Sequence, residues 1–294
     1  MGDLEGRIAI MGAAGMLGHA LREVFHKALV FDITYPGKYR LDITEIDDLK
    51  EKLRDFREQD LVINAAAFIN VDGAETEEGR NKSYGINVLG PINLAHISRT
   101  QGFKIVHYST AFVFDGKKGD YKEDDEACPL NNYGAHKLEG EAHILGANGL
   151  VLRTDTLYGP NGPDNFVDTI AKKAREQNVT PVINDQIRSP TYTHDLAAIT
   201  RALIEKGKAA NGPKIYHAVN QGAVSKAELA REVLRILDLS DEIQEISTEE
   251  YNKRFRADKA TAQRPRDCSL STNKLIELGI IPREWRVALI DYLK

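Results

Sequence analysis

The chain has 294 residues, 42% hydrophobic and 28% charged, with a net charge of -5 at neutral pH. That composition supports one large domain or two unequal ones, and its acidic balance argues against nucleic acid or an anionic membrane as a partner. Two distant thiols, Cys128 and Cys268, point to a reducing cytoplasm, and neither a run of roughly 20 apolar residues nor the basic start of a signal peptide is seen.

Short apolar runs alternate with amphipathic stretches through the first half. Strands are expected at Arg7–Met11, Ala28–Asp32, Leu61–Asn64, Lys104–Tyr108 and Leu150–Arg153. Helices are expected at Leu17–Phe25, at Thr44–Phe56 with Thr44 as N-cap, at Asn81–Gln101 with a kink at Pro91, and at Asn132–Leu145. Strands alternating with helices mean βαβ units and a doubly wound parallel sheet covered on both faces. The later pattern is looser. Helices are expected at Asn165–Gln177, His194–Lys206 and Ser225–Leu237, the last with Ser225 and Glu228 as a capping box. Val182-Ile183 is too short for more than an edge strand, Lys214–Val219 reads as a strand, and Lys253–Asp267 as a loop. The end of the chain from Leu275 reads as helical pieces. These readings divide the chain into a Rossmann-like dinucleotide-binding domain, residues 1–155 with 190–220 returning to it, and a smaller α/β domain, residues 156–189 and 221–294.

Gly12-Ala-Ala-Gly15-Met-Leu-Gly18 lies between the first strand and the first helix. Gly12 allows a tight turn, Gly15 a close approach to pyrophosphate, and Gly18 close packing of helix on sheet, while the helix N-terminus offers N–H groups to phosphate. Asp32 ends the second strand, where a carboxylate accepts from ribose hydroxyls and repels a 2′-phosphate. Lys38 and Arg40 nearby could receive that phosphate, so NADPH and NADH both stay open. Asp42 and Ile43 precede the next helix, with Asp42 either a cap or an adenine contact. Ala65 and Ala66 follow the third strand, where small residues allow a ligand close to the strand ends. Tyr133 and Lys137 are one helical turn apart. A phenol near its reference pKa of ~10 is a poor acid-base group at neutral pH, and a neighbouring ammonium would lower that pKa. Thr110 can fix a carbonyl oxygen. His136 points away from the Tyr–Lys face, and no His or acidic group has metal-ligand spacing, so no metal is expected.

Together with Val62–Ala67, Val71-Asp72, Ala74-Glu75, Ser109–Gly116, Pro129–Lys137, Leu152–Thr154, Asn165-Phe166, Asn184–Gln186, Ser189–Thr191, Arg264-Pro265 and Thr272–Leu275, these residues resemble the dTDP-4-dehydrorhamnose reductase family of extended short-chain dehydrogenase/reductases. The resemblance implies reduction of a nucleoside-diphosphate-linked 4-keto-6-deoxy sugar. Thr110, Tyr133 and Lys137 would be catalytic. Gly12, Gly15, Met16, Leu17, Gly18, Asp32, Asp42, Ile43, Ala65, Ala66, Tyr133 and Lys137 would hold the cofactor. Thr110, Ala111, Tyr133, Thr156, Asn165, Phe166, Gln186 and Arg264 would meet the substrate, Arg264 at the diphosphate, although Arg264 and Arg266 also read as a solvated basic loop. The implied partners are the nucleotide sugar and, at most, a second copy in a homodimer. Three positions depart from the family pattern: Ala111 where an Asp is usual, Phe112 where a Tyr is usual, and Thr156 where an aromatic is usual. Ala111 and the segment Ala262–Arg266 also resemble the non-catalytic beta subunit of methionine adenosyltransferase, which leaves a cofactor-binding regulatory protein as the alternative.

Overall fold

Leu61–Asn64 and Leu150–Thr154 are buried at every residue and Ile8–Met11 at all but the first, as strands covered on both faces must be. The computed structural model describes residues 6–163, 165–176, 179–209, 212, 214–240, 242–257 and 259–294. In chain order, the first half forms β1 (Ile8–Met11), α1 (Met16–Val24), β2 (Leu29–Phe31), α2 (Ile46–Leu53), β3 (Leu61–Asn64), α3 (Glu77–Tyr84), α4 (Gly90–Gln101), β4 (Lys104–Thr110), α5 (Asn132–Leu145) and β5 (Leu150–Thr154). There follow β6 (Leu157–Tyr158), α6 (Phe166–Arg175), β7 (Thr180–Ile183), β8 (Ile187–Arg188), β9 (Thr191–Tyr192), α7 (Thr193–Glu205), β10 (Lys214–His217) and β11 (Val224–Ser225). The last elements are α8 (Lys226–Ile236), β12 (Ile243–Ile246), α9 (Thr248–Phe255), α10 (Asn273–Glu277) and α11 (Trp285–Leu293).

The six-stranded sheet runs β2-β1-β3-β4-β5-β10, every neighbour parallel. One face is covered by a core that includes Leu21, Tyr108, Leu196 and Leu203, the other by one that includes Leu49, Leu94, Phe103 and Ile144. This is the doubly wound, Rossmann-like sheet expected from the alternation. The chain leaves β1 toward β2 on one side and reaches β3 on the other, so the sheet has its switch point between β1 and β3. Ligands bind such sheets outside the strand carboxyl ends at that point. A separate apolar cluster joins Tyr158, Val167, Ile170, Val233 and Trp285, and β7 pairs with β12 away from the main sheet.

Several local expectations change. The helix expected at 44–56 begins at Ile46, with Glu45 at its start and no side-chain cap. Thr44 is not its cap, because Asp42 Oδ1 accepts from the Thr44 N–H at 2.9 Å and from its hydroxyl at 2.8 Å, holding both in a turn. The single helix expected at 81–101 is α3 and α4 joined by one π turn at Gly85–Leu89. Pro91 lacks an N–H and crowds the carbonyl four residues back, that of Asn87, and the wider turn absorbs both defects. α5 also packs against the Asn87 carbonyl: a Cβ at Gly140 would lie 2.3 Å from it. Lys253 to Phe255 are helical, not loop. Ser247 caps α9 by accepting from Glu250 N–H at 3.1 Å, a start signal present in the sequence. The capping box of Ser225 and Glu228 forms as expected.

Candidate active site

β1 ends in the glycine loop, and Gly12 takes a left-handed φ of 74°. A Cβ at Gly12 would lie 2.5 Å from Ala66 N, and one at Gly18 would lie 2.2 Å from the Gly12 oxygen. Both glycines are therefore required by the fold. Gly15 is different. Its φ is -72°, and a Cβ there would meet nothing of the protein closer than 3.4 Å. Gly15 borders a cavity of about 190 Å³ together with Gly12, Asp32, Asp42, Ile43, Ala65 and Ala66. Met11, Phe31, Ile33, Leu41, Ala67 and Ile86 complete the lining. Leu41 and Ala67 belong to segments already expected near a ligand, whereas Met11, Phe31, Ile33 and Ile86 were missed, although Met11 ends a strand already recognised.

α1 starts at this cavity with no side-chain cap, so its first N–H groups are free for an anion. The Asp32 carboxylate binds the rim together: Oδ2 accepts from Ala14 N–H at 3.2 Å, and Oδ1 from Thr34 N–H at 2.9 Å and its hydroxyl at 2.7 Å. Met16 and Leu17 face elsewhere. The Met16 side chain packs against Gly162, and Leu17 is buried in the sheet core. Only their backbone can serve a ligand at this cavity, because the helix rotates their side chains away from it.

Thr110 and Thr154 pair at the carboxyl ends of β4 and β5. α5 is brought to that edge by its cap. Asn131 Oδ1 accepts from Gly134 N–H at 2.8 Å, and its amide donates to the Gln263 carbonyl at 2.8 Å. Glu75 accepts from the Asn132 backbone at 2.9 Å and side chain at 2.8 Å. These acceptors position Tyr133, the second residue of α5, with its ring edge-on to Phe112 at 6.2 Å. Burial pushes the Tyr133 phenol up to about 12; the Thr110 hydroxyl beside it works the other way, and the Asp155 charge adds to the rise. The Lys137 amine, expected from the spacing to lower that phenol, is engaged with other groups. Its Nζ donates to the Tyr108 carbonyl at 2.5 Å and lies 3.3 Å from His107 Nε2, with the residue only 2% exposed. Burial takes the Lys137 amine down to about 8, partly offset by Glu141.

Asp155 was not singled out from sequence. Its carboxyl is buried, accepts from Ser189 N–H at 2.9 Å and the Thr156 hydroxyl at 3.1 Å, and is raised by that burial despite the nearby Arg188 charge. His136 contacts Ser83 at 2.9 Å, on the side away from the Tyr–Lys face, as expected.

The residues expected at the substrate divide. Ala111 is fully buried among Val113, Phe114, Tyr121, Val219, Cys268 and Leu270, so it does not border a sugar pocket. The tight turn Ala111–Val113 after β4 rotates it into the core. Thr156 has a left-handed φ of 37° and donates to Asp155. Asn165 caps α6, accepting from Asp168 N–H at 3.1 Å and donating to its carboxylate at 2.7 Å, while Phe166 packs on the cluster around Tyr158. Both ends of the buried Gln186 amide are taken, by Thr248 at 2.9 Å and Arg188 at 3.2 Å. Arg264 does line a cavity, of about 580 Å³, with Lys117, Asn184, Asp185, Gln263 and Arg266 among its neighbours. It is not a free cation, however, because it is paired with Asp72, which Arg256 also approaches at 3.1 Å. Burial works to raise the Asp72 carboxyl, but the Arg264 hydrogen bond and charge hold it below the usual range. Asp72 and Glu75 thus act as clamps, one on the 256–264 segment and one on the start of α5. Among the described residues, Arg266 makes no ion pair, no group of three His, Cys, Asp or Glu could hold a metal, and no helix is long and apolar enough to cross a membrane.

The chain is 34% identical over 291 residues to the spore coat polysaccharide biosynthesis protein SpsK of Bacillus subtilis, covering 98% of this chain and 97% of the relative. It is 32% identical to a dTDP-4-dehydrorhamnose reductase of Aggregatibacter actinomycetemcomitans, covering 96% and 97%. The solved dTDP-4-dehydrorhamnose reductase of Bacillus anthracis in complex with NADP superposes with a TM-score of 0.85 at 31% identity, over 98% of both chains. The family model described as RmlD substrate binding domain matches residues 6–294, and the chain belongs to that family.

Proposed function

We propose that this protein reduces the C4 ketone of a nucleoside-diphosphate-linked 4-keto-6-deoxy sugar at the expense of NADPH or NADH. It is an oxidoreductase acting on a nucleotide sugar. The observation that carries the finer reading is the convergence of the Gly12–Gly18 cradle and the Thr110–Tyr133–Lys137 set at the carboxyl edge of one parallel sheet. The relatives named dTDP-4-dehydrorhamnose reductase, one of them solved with NADP, support it.

The residues present fit a dinucleotide. Gly15 leaves open space that the fold itself does not need, and uncapped N–H groups face it. Gly12, Gly15 and Gly18 with the Met16 and Leu17 backbone would hold the pyrophosphate. Asp32, Asp42, Ile43, Ala65 and Ala66 would hold the adenosine half, and Lys137 the nicotinamide ribose. When bound, the nicotinamide supplies hydride to C4. Tyr133, protonated at neutral pH as any phenol is, would give its proton to the ketone oxygen, and its raised pKa makes the resulting phenolate ready to take a proton back. Thr110 orients that oxygen. Lys137, with a lowered pKa, returns a proton to the phenolate downhill. Arg266 and Arg264 are the guanidinium groups available to the diphosphate, Arg264 by sharing itself with Asp72. Residues 1–155 with 190–220 would carry the cofactor, and residues 156–189 with 221–294 would close over the sugar. The burial of Ala111 removes one argument for the regulatory alternative, since that departure lies in the core. The test is turnover of NADPH and NADH with a panel of nucleotide-linked 4-keto sugars. Turnover with at least one is expected. None with any, while calorimetry still shows dinucleotide binding, would favour the regulatory reading.

Gly15→Val is expected to abolish dinucleotide binding by calorimetry and leave the circular dichroism spectrum unchanged, because the backbone there suits any residue. Wild-type affinity in the variant would mean the loop is only a turn. Asp32→Asn is expected to raise the NADPH-to-NADH affinity ratio about fivefold, since like charges at about 4 Å in water repel by roughly 1 kcal/mol. The amide keeps an acceptor for the Thr34 contacts. An unmoved ratio would place Asp32 away from the ribose.

A further inference from the structure

Two buried polar residues behind the catalytic edge, Asn64 and His107, are not used by the reaction outlined above, and they link the cofactor side to Lys137. Ala66 N–H, on the cofactor side, donates to Asn64 Oδ1 at 3.2 Å. Asn64 Nδ2 lies 3.1 Å from His107 Nδ1, and His107 Nε2 lies 3.3 Å from Lys137 Nζ. Asn64 and His107 are fully buried. Hydrogen-bond parity fixes the direction along this chain. The Ala66 N–H can only donate, so the Asn64 oxygen faces it and the Asn64 amide nitrogen faces His107. That nitrogen can only donate, so His107 Nδ1 must accept. A neutral imidazole carries one proton, which then sits on Nε2 and points at Lys137. An ammonium has no lone pair to receive it. A neutral amine has one, and keeps its own N–H for the Tyr108 carbonyl at 2.5 Å.

We infer that His107 is a positioning residue, held by Asn64 in its Nε2–H tautomer so that it donates to the neutral amine of Lys137 and weakens that lysine's hold on its proton. The inference rests on the proposed role of Lys137 for its catalytic meaning, though not for its geometry. It makes Lys137 a better acid for recharging the Tyr133 phenolate than an ordinary lysine. The other groups around the pair do not reverse it. Glu141, on the next turn of α5, favours the ammonium, but its carboxylate is already engaged by Arg153 of β5 at 3.0 and 2.8 Å. Tyr108 of β4 turns its hydroxyl to Thr200 of α7 at 2.7 Å. β3 presents only the neutral Asn64. His107 itself stays uncharged, because burial keeps its imidazole well below the usual range.

The chain is testable without turnover. Nitrogen-15 NMR of histidine-labelled protein, with the His107 signals assigned by their loss in His107→Gln, should show a protonated Nε2 and an accepting Nδ1. Protonation at Nδ1 would overturn the inference. In Asn64→Asp the acceptor-only carboxylate accepts from Nδ1, which moves the imidazole proton from Nε2 to Nδ1 and turns Nε2 into an acceptor for ammonium. Carbon-13 titration of lysine Cε should then move the Lys137 midpoint up by at least one pH unit, a tenfold tighter proton. His107→Gln should move it up as well, since the amide oxygen can accept from ammonium. Midpoints unchanged in both variants would also overturn the inference. The same spectra are informative if no keto sugar is reduced, so failure here and failure of the proposed activity are separable.

Discussion

Tyr133→Phe is expected to lower turnover by about 10²–10⁴-fold, the usual contribution of a general acid, with dinucleotide affinity within about twofold of wild type. The substitution removes one hydroxyl and keeps the ring, whose edge-on contact with Phe112 and place next to the α5 cap do not depend on that oxygen. Steady-state kinetics and calorimetry on the same preparation check it. The split between the two readouts matters. A loss of both would mean that α5 had shifted, whereas activity within threefold of wild type would eliminate Tyr133 as the proton donor.

The largest stability effect is expected at the ion pair behind that helix. Arg153 of β5 and Glu141 of α5 bury their side chains to 4% and 1% exposure, and meet through two short contacts of 3.0 and 2.8 Å. Removing one partner strands a buried charge, which typically costs about 3–5 kcal/mol. Arg153→Met should lose stability in that range, read as a fall in the denaturant midpoint at unchanged slope. Exchanging both, as Arg153→Met with Glu141→Leu, should recover most of it, because a well-packed apolar pair of similar volume is often neutral. It should also drive the Lys137 pKa further down, because Glu141 is the charge that partly offsets its burial. A single variant within about 1 kcal/mol of wild type would mean that water reaches the pair.

The sheet and the glycine loop were legible because their signals are local. An apolar run of four or five residues flanked by a helix-like period can be read from neighbours alone. Gly12, Gly15 and Gly18 lie where that pattern put them, and α5 spans the residues expected of it. The substrate side was less legible because it depends on which way a side chain turns at a chain bend. Ala111 stands beside Thr110 in sequence, yet the turn after β4 sends it into the core. Asn165 and Gln186 were recognisable by motif, but their partners Asp168 and Thr248 spend their hydrogen bonds inside the fold. Lys137 shows the same limit. Helical spacing puts it under Tyr133, while the partners that hold its amine, His107 and Tyr108, come from a strand some thirty residues earlier. Asp155 and the Asn64–His107 contact gave no signal at all, since each is made only when separate strands reach one edge.

In the proposed reaction a hydride and the proton held by Tyr133 meet at one sugar ketone. Reduction with cofactor deuterated at C4 of the nicotinamide, followed by proton NMR of the product sugar, tests it most directly. Deuterium is expected at sugar C4 in the wild type, with label transfer suppressed in Tyr133→Phe to the same extent as turnover. Deuterium at another ring carbon, or undiminished transfer to C4 in the variant, would contradict it.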